Sequence, residues 1–186
     1  DLCMQNVNVK LVGYGEGFTN SLMGATHHSI EDIAVMRVLP NMTVVCPGDP
    51  WEVENAVVAL YKNNSPAYLR LGKSGEPILH KEYDGFALGK GSTIRDGKDL
   101  TIISTGNMLE ESQKAAEILA KRGILAKLIS MHTIKPIDKN LIVKSAMETG
   151  VVITIEEHSI IGGLGSTVAE VLLEAMHTGH SVCATV

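Results

Sequence analysis

One glycine-led turn carries the residue best suited to chemistry. In Gly24-Ala25-Thr26-His27-His28-Ser29-Ile30-Glu31-Asp32, His27 stands just ahead of an apolar-periodic stretch that runs through Arg37-Val38-Leu39 to a stop at Pro40. An imidazole changes charge near neutral pH, so it can donate to a developing alkoxide or shuttle a proton. A turn of this kind holds its polar side chain at the mouth of an α/β cleft. The structural alternative for His27 is a cap on the helix that follows. Ser29 is the expected N-cap, a structural role, and His28 is expected to face outward or pack.

Two other clusters invite chemistry. Gly162-Gly163-Leu164-Gly165 precedes a predicted helix and could cradle a phosphate, but it is neither a dinucleotide fingerprint nor a Walker loop. Glu156, Glu157 and His158 are adjacent at a strand end. Adjacent strand residues point to opposite faces, so at most Glu156 and His158 share one. A strand-end hydrogen-bond network or a subunit contact is expected there, not a metal. His80, His132, His177 and His180 lack partners at ligand spacing and receive no role. Cys3, Cys46 and Cys183 are odd in number and far apart. They argue against a disulfide framework or a zinc site and fit a reducing, cytoplasmic setting.

The elements that must position these residues alternate. Strands are expected over 7–12, 42–46 and 67–71, with helices over 29–39 and 51–61 between them; Asp49 reads as an N-cap and Pro50 as a tolerated first helical residue. Residues 72–99 change character, with Gly, Lys, Pro and Asp between weak apolar pairs, and read as a connection with short strands. Beyond it, strands over 100–104, 125–130 and 151–156 alternate with helices over 108–122, 139–149 and 166–176, Gly123 closing the first of these helices. A further strand is expected to begin at 181–186. Strand–helix alternation implies mainly parallel sheets covered on both faces, with ligands beyond the carboxyl ends of the strands. Both ends of the chain read as cut from something longer.

Composition narrows the function classes. The 186 residues carry 16 Lys and Arg against 21 Asp and Glu, a net charge of −5, so no basic stripe for nucleic acid is expected. No apolar run is long enough to span a bilayer, and the first residues do not form a signal peptide. With aromatics at only 4%, the core must be built from aliphatic side chains.

Several blocks, taken in order, resemble the transketolase family. Gly24-Ala25-Thr26-His27, Glu31-Asp32, Arg37-x-Leu39-Pro40-Asn41-Met42, Pro47-Gly48-Asp49 and Tyr68-Leu69-Arg70-Leu71-Gly72-Lys73 resemble its pyrimidine-binding domain. Ile103-Ser104-Thr105-Gly106, Met131-His132-Thr133-Ile134-Lys135-Pro136-Ile137-Asp138 and Glu156-Glu157-His158 with Gly162-Gly163-Leu164-Gly165-Ser166 resemble its C-terminal domain. The likeness is closest to the separately encoded C-terminal half of split bacterial transketolases. It implies an α/β fold of two three-layer α/β/α units with mainly parallel sheets, the first incomplete. The expected division is 1–75 for the end of the pyrimidine-binding domain, 76–98 for the connection and 99–186 for the C-terminal domain.

The resemblance also implies a function: transfer of a two-carbon ketol unit from a ketose, or its phosphate, to an aldose. The cofactors are thiamine diphosphate and magnesium (Mg2+), held jointly with an N-terminal diphosphate-binding section or subunit in a homo- or hetero-oligomer such as a dimer. His27 matches the family histidine that approaches the substrate oxygen, so it is the expected catalytic and substrate-binding residue. Lys73 matches a cation, usually arginine, that holds the sugar phosphate; lysine would act as a point charge. The family's catalytic glutamate and aromatic stack match nothing here and lie upstream. Gly162-Gly163-Leu164-Gly165 becomes a packing turn in a domain used for assembly. Gly15 and Met23 stand where many transketolases carry a histidine and an acidic residue that meet the substrate. That loss of hydrogen-bonding capacity implies a sugar pair other than the usual pentose phosphates. Other thiamine-diphosphate chemistry, of the 2-oxo acid dehydrogenase β or deoxyxylulose-phosphate synthase type, and a non-catalytic assembly domain remain as alternatives. The chain alone is expected to be inactive.

Overall fold

The computed structural model describes residues 1–73, 75–80 and 85–177. Its elements run β1 (Lys10–Tyr14), α1 (Asp32–Val38), β2 (Thr43–Val45), α2 (Pro50–Lys62), β3 (Ala67–Leu71), β4 (Ser92–Arg95), β5 (Leu100–Ser104), α3 (Met108–Lys121), β6 (Ala126–Ser130), β7 (Thr133–Lys135), α4 (Lys139–Thr149), β8 (Val152–Ile155) and α5 (Leu164–His177). Two four-stranded sheets result, in the orders β1-β3-β2-β7 and β4-β6-β5-β8. Within the first, β1, β3 and β2 are parallel, and within the second so are β6, β5 and β8. The two-unit, mainly parallel α/β architecture is therefore the observed one.

Local chemistry explains most boundaries. Asp49 caps α2 by accepting from the Glu52 N–H, with Pro50 in the first turn. Asp138 caps α4 in the same way, and Gly150 ends it in the left-handed conformation. All five residues of β6 are buried, as a strand covered on both faces requires. Among the described residues no helix is long and apolar enough to cross a membrane.

Two features differ from expectation. Ser29 is not the cap of α1: Glu31 occupies that position and no side chain caps the helix. The amide and carbonyl of Ser29 both pair with Gly17, at 2.9 and 3.0 Å, which holds Ser29 in a bridge short of the helix. The second is β7. Three residues of the second half leave their own sheet and add antiparallel to β2 of the first. Through that crossing the two units share one core, in which Ile33, Val44 and Cys46 pack in the same cluster as Ile129, Ile134 and Leu164. The strand expected at 181–186, together with His180 and Cys183, lies outside the described residues.

Candidate functional site

The site grows from the carboxyl ends of β1 and β3. Their parallel register sets Tyr14 beside Leu71, and the Gly15 and Glu16 amides both donate to the Leu71 carbonyl. The chain then leaves the sheet and returns through the Gly17–Ser29 bridge, which closes a neck. Beyond the neck lie two short 3-10 turns, Ser21–Met23 and Ala25–His27, joined by Gly24 at φ 85°. His27 ends the second turn and is exposed. Its Nδ1 lies 3.0 Å from Thr26 Oγ1, while no hydrogen bond engages Nε2 among the described residues, so that nitrogen is available to a ligand. His28 packs edge-on to Phe18, ring centres 4.9 Å apart.

Arg70 holds the neck. It lies on β3 and is 1% exposed. Nη1 donates to Glu16 Oε2 at 2.6 Å, Nε to Asp32 Oδ2 at 2.8 Å, and Nη2 to the carbonyls of Ser29 and Glu157 at 2.8 and 3.0 Å. A guanidinium has five donors in a rigid fork, which suits it to join both strands of an excursion. Tyr68 adds a hydrogen bond to Asp32 Oδ2 at 2.7 Å. Burial pushes Glu16 up to about 6 despite Arg70 and the Asn107 amide beside it. Burial alone would raise Asp32 too, but Arg70 and the Tyr68 hydroxyl together hold it below the usual carboxylate range. The two carboxylates differ because Asp32 keeps 15% side-chain exposure and Glu16 only 1%.

Lys73 lies just past β3, exposed, and its carbonyl accepts from the Tyr14 hydroxyl at 3.1 Å. It lines a cavity of about 270 Å³ with Tyr14, Glu16, Gly48, Gly72 and Asn107, among others. His27 does not line that cavity. The structure thus joins Lys73 to Glu16 at one strand-end cavity and sets His27 on a separate exposed turn.

The residues near the second unit's strand ends are used structurally. Glu156 accepts from the Leu164 and Gly165 amides at 2.7 and 2.8 Å, so the start of α5 already holds its anion and is not a phosphate cradle. Glu157 accepts from Asn107, and His158 Nε2 from the Ala34 amide. This is the strand-end network that adjacency on a strand implied.

Sequence reasoning missed one buried cluster. His80 lies between Asp49 and Glu52, with Nδ1 2.9 Å from Asp49 Oδ2 and Nε2 3.3 Å from Glu52 Oε1, and Trp51 stacks on its ring. Burial raises Glu52 to about 7. His132, stacked on Phe86, is pushed down to about 3 by burial and stays neutral. The only signal for the cluster was the capping sequence at Asp49; 31 residues separate Asp49 from His80.

Comparison with known proteins decides the family. Residues 1–76 match the transketolase pyrimidine-binding domain and residues 89–184 the transketolase C-terminal domain. The chain belongs to the transketolase family. It is 45% identical over 168 residues to a 6-deoxy-6-sulfo-D-fructose transketolase subunit of Clostridium sp. (strain MSTE9), covering 90% of this chain and 52% of that one. It is 42% identical over 175 residues to an apulose-4-phosphate transketolase subunit of Phocaeicola vulgatus, covering 94% and 56%. A solved split-gene transketolase, described as an inactive β4 tetramer, superposes with a TM-score of 0.88 at 41% identity, covering 99% of this chain and 58% of that one. The chain spans about half the length of the curated relatives it matches. Within this transketolase-family chain, the described residues contain no group of three or more His, Cys, Asp or Glu able to hold a metal ion. The N-terminus of α2 is occupied by Asp49 and that of α5 by Glu156, so among the described residues neither helix start offers a diphosphate–Mg2+ site.

Proposed function

We propose that this chain forms one wall of a transketolase that moves a two-carbon ketol unit from a ketose to an aldose. The division at 1–75, 76–98 and 99–186 belongs to the same reading, the first segment presenting the site. Thiamine diphosphate supplies the nucleophilic carbon, and it and Mg2+ are held by an N-terminal diphosphate-binding section or subunit. The observation that carries the reading is His27 itself: exposed, on a turn whose neck Arg70 holds, with Nδ1 near Thr26 and Nε2 available. A neutral imidazole so placed donates to a substrate oxygen as charge develops there.

Lys73 contributes a point charge for the anionic end of the sugar. The relatives named for 6-deoxy-6-sulfo-D-fructose and apulose-4-phosphate carry an anionic group in each name, which supports that assignment. Gly15 and Met23 in place of polar groups favour a ketose outside the usual pentose-phosphate pair. Alone the chain is inactive, a reading supported by the related split-gene transketolase described as an inactive β4 tetramer.

The test is reconstitution with the diphosphate-binding section, thiamine diphosphate and Mg2+, assayed for ketol transfer from a panel of sulfonated and phosphorylated ketoses. Transfer that needs both sections and drops at least ~100-fold in His27→Asn supports the reading. Full turnover by the variant, or by this chain alone, overturns it.

A further inference from the structure

The second unit reaches the neck of the His27 turn through hydrogen bonds that the family assignment does not require. Asn107 follows β5, in the second unit. Its backbone N–H donates to Glu16 Oε1 at 2.8 Å, and its Nδ2 to Glu157 Oε2 at 2.7 Å. The Glu157 carbonyl takes Arg70 Nη2, and the same nitrogen reaches the Ser29 carbonyl. Glu16 and Ser29 stand at the two ends of the excursion that bears His27. Two residues of the second unit therefore engage both sides of its neck.

Steric fit points the same way. A Cβ on Gly17 would lie 2.0 Å from Glu157 Oε2, and one on Gly106 2.6 Å from Glu16 Oε2. The two carboxylates sit this close to the main chain because both positions are glycine, at φ 59° and 60°. Just beyond, the Ser159 amide donates to the Ile30 carbonyl at 2.8 Å, which extends the contact along the entry to α1.

We propose that Asn107 and Glu157 are positioning residues that set the His27 turn from the second unit. The proposal rests on the reading of His27 as the group that meets the substrate. It assigns the second unit a part in the site beyond assembly: Asn107 and Glu157 hold the neck, and the neck holds the imidazole.

Hydrogen exchange on the purified chain tests it without substrate. Alanine at either position leaves the main-chain bonds to Glu16 and Arg70 and removes the Nδ2–Oε2 bond that fixes the two segments against each other. In Asn107→Ala and in Glu157→Ala alike, the amides of Gly17 and Ser29 should exchange about fivefold faster while those of β5 and β6 keep their wild-type rates. The His27 Cε1–Hε1 NMR signal, assigned by its loss in His27→Asn, should shift or broaden. Glu157→Gln keeps an acceptor oxygen for Asn107 and should behave as wild type. Unchanged neck amides in both alanine variants, or acceleration spread evenly over the two sheets, overturns the proposal. If instead His27→Asn retains full ketol transfer while the exchange result stands, the functional reading fails and the positioning does not.

Discussion

Asp49 and His80 meet across 31 residues of chain, Oδ2 to Nδ1, at 2.9 Å, with both side chains fully buried. The same carboxylate caps α2 through Oδ1 and takes the Leu79 and His80 amides on Oδ2. One aspartate thus starts a helix and pins the chain that leaves the first unit. Lost caps cost about 1 kcal/mol, and each buried donor left without its acceptor about 1–3 kcal/mol. Asp49→Ala should lower unfolding free energy by about 4 kcal/mol, measured by urea denaturation. Asp49→Asn keeps one acceptor oxygen but sets an NH2 against the donors that the other served, so it should lose nearly as much. A loss below about 1 kcal/mol in Asp49→Ala would show that this carboxylate does not hold the junction.

Glu52, beside His80 and in the same buried group as Asp49, His132 and Ser130, gives the protein a pH dependence. Burial raises its folded value from an ordinary 4.5 to about 7. The folded state then holds a proton that the unfolded state has released, so stability falls as pH rises from about 4.5 through 7 and levels off above. The shift corresponds to about 3 kcal/mol at most. Glu52→Gln removes this slope. Its melting temperature relative to wild type should climb between about pH 5 and pH 8, followed by calorimetry. A difference independent of pH would show that Glu52 ionises normally.

The capping of α2, the strands over 67–71 and 100–104 and the block carrying His27 were legible because each is encoded by near neighbours: a cap and its amide, an apolar run, a glycine before a turn. What stayed hidden depends on distant partners. Nothing near residue 80 announces Asp49, and a three-residue strand at Thr133–Lys135 has too short a pattern to be seen. Ser29 has the chemistry of a cap and is drawn away by Gly17, twelve positions earlier. Arg70 reads from the sequence as a strand residue that serves the fold, but the partners that make it the clamp of the neck, Glu16, Asp32 and Glu157, are distant in the chain.

Lys73 is expected to act on binding. It is exposed at the rim of the strand-end cavity, and an exposed ammonium attracts anions in a salt-dependent way. In the reconstituted enzyme, Lys73→Ala should raise KM for a phosphorylated or sulfonated ketose about tenfold with kcat little changed. The effect should shrink at high ionic strength, and a neutral ketose should feel none of it. An equal rise for charged and neutral ketoses would remove Lys73 from the anion's site.

Gly24 separates the shape of the His27 turn from the stability of the protein. At φ 85°, ψ −179° it occupies a region that only glycine enters freely, and a Cβ there would touch nothing within 4 Å. The penalty for alanine is therefore backbone strain of about 1–3 kcal/mol, relieved by rearranging the turn itself. The neck, held by Arg70 and by the Gly17–Ser29 bridge, lies outside that rearrangement. Gly24→Ala should keep β1 and β3 intact, as seen by amide exchange, yet lose ketol transfer as His27→Asn does. Gly123, at φ 81° and also with open space around its Cβ, supplies the control. Gly123→Ala carries a positive-φ penalty of its own at the end of α3 and should leave turnover unchanged. If the two variants lose activity alike, the deficit reflects stability, and the geometry of the turn is not what positions His27.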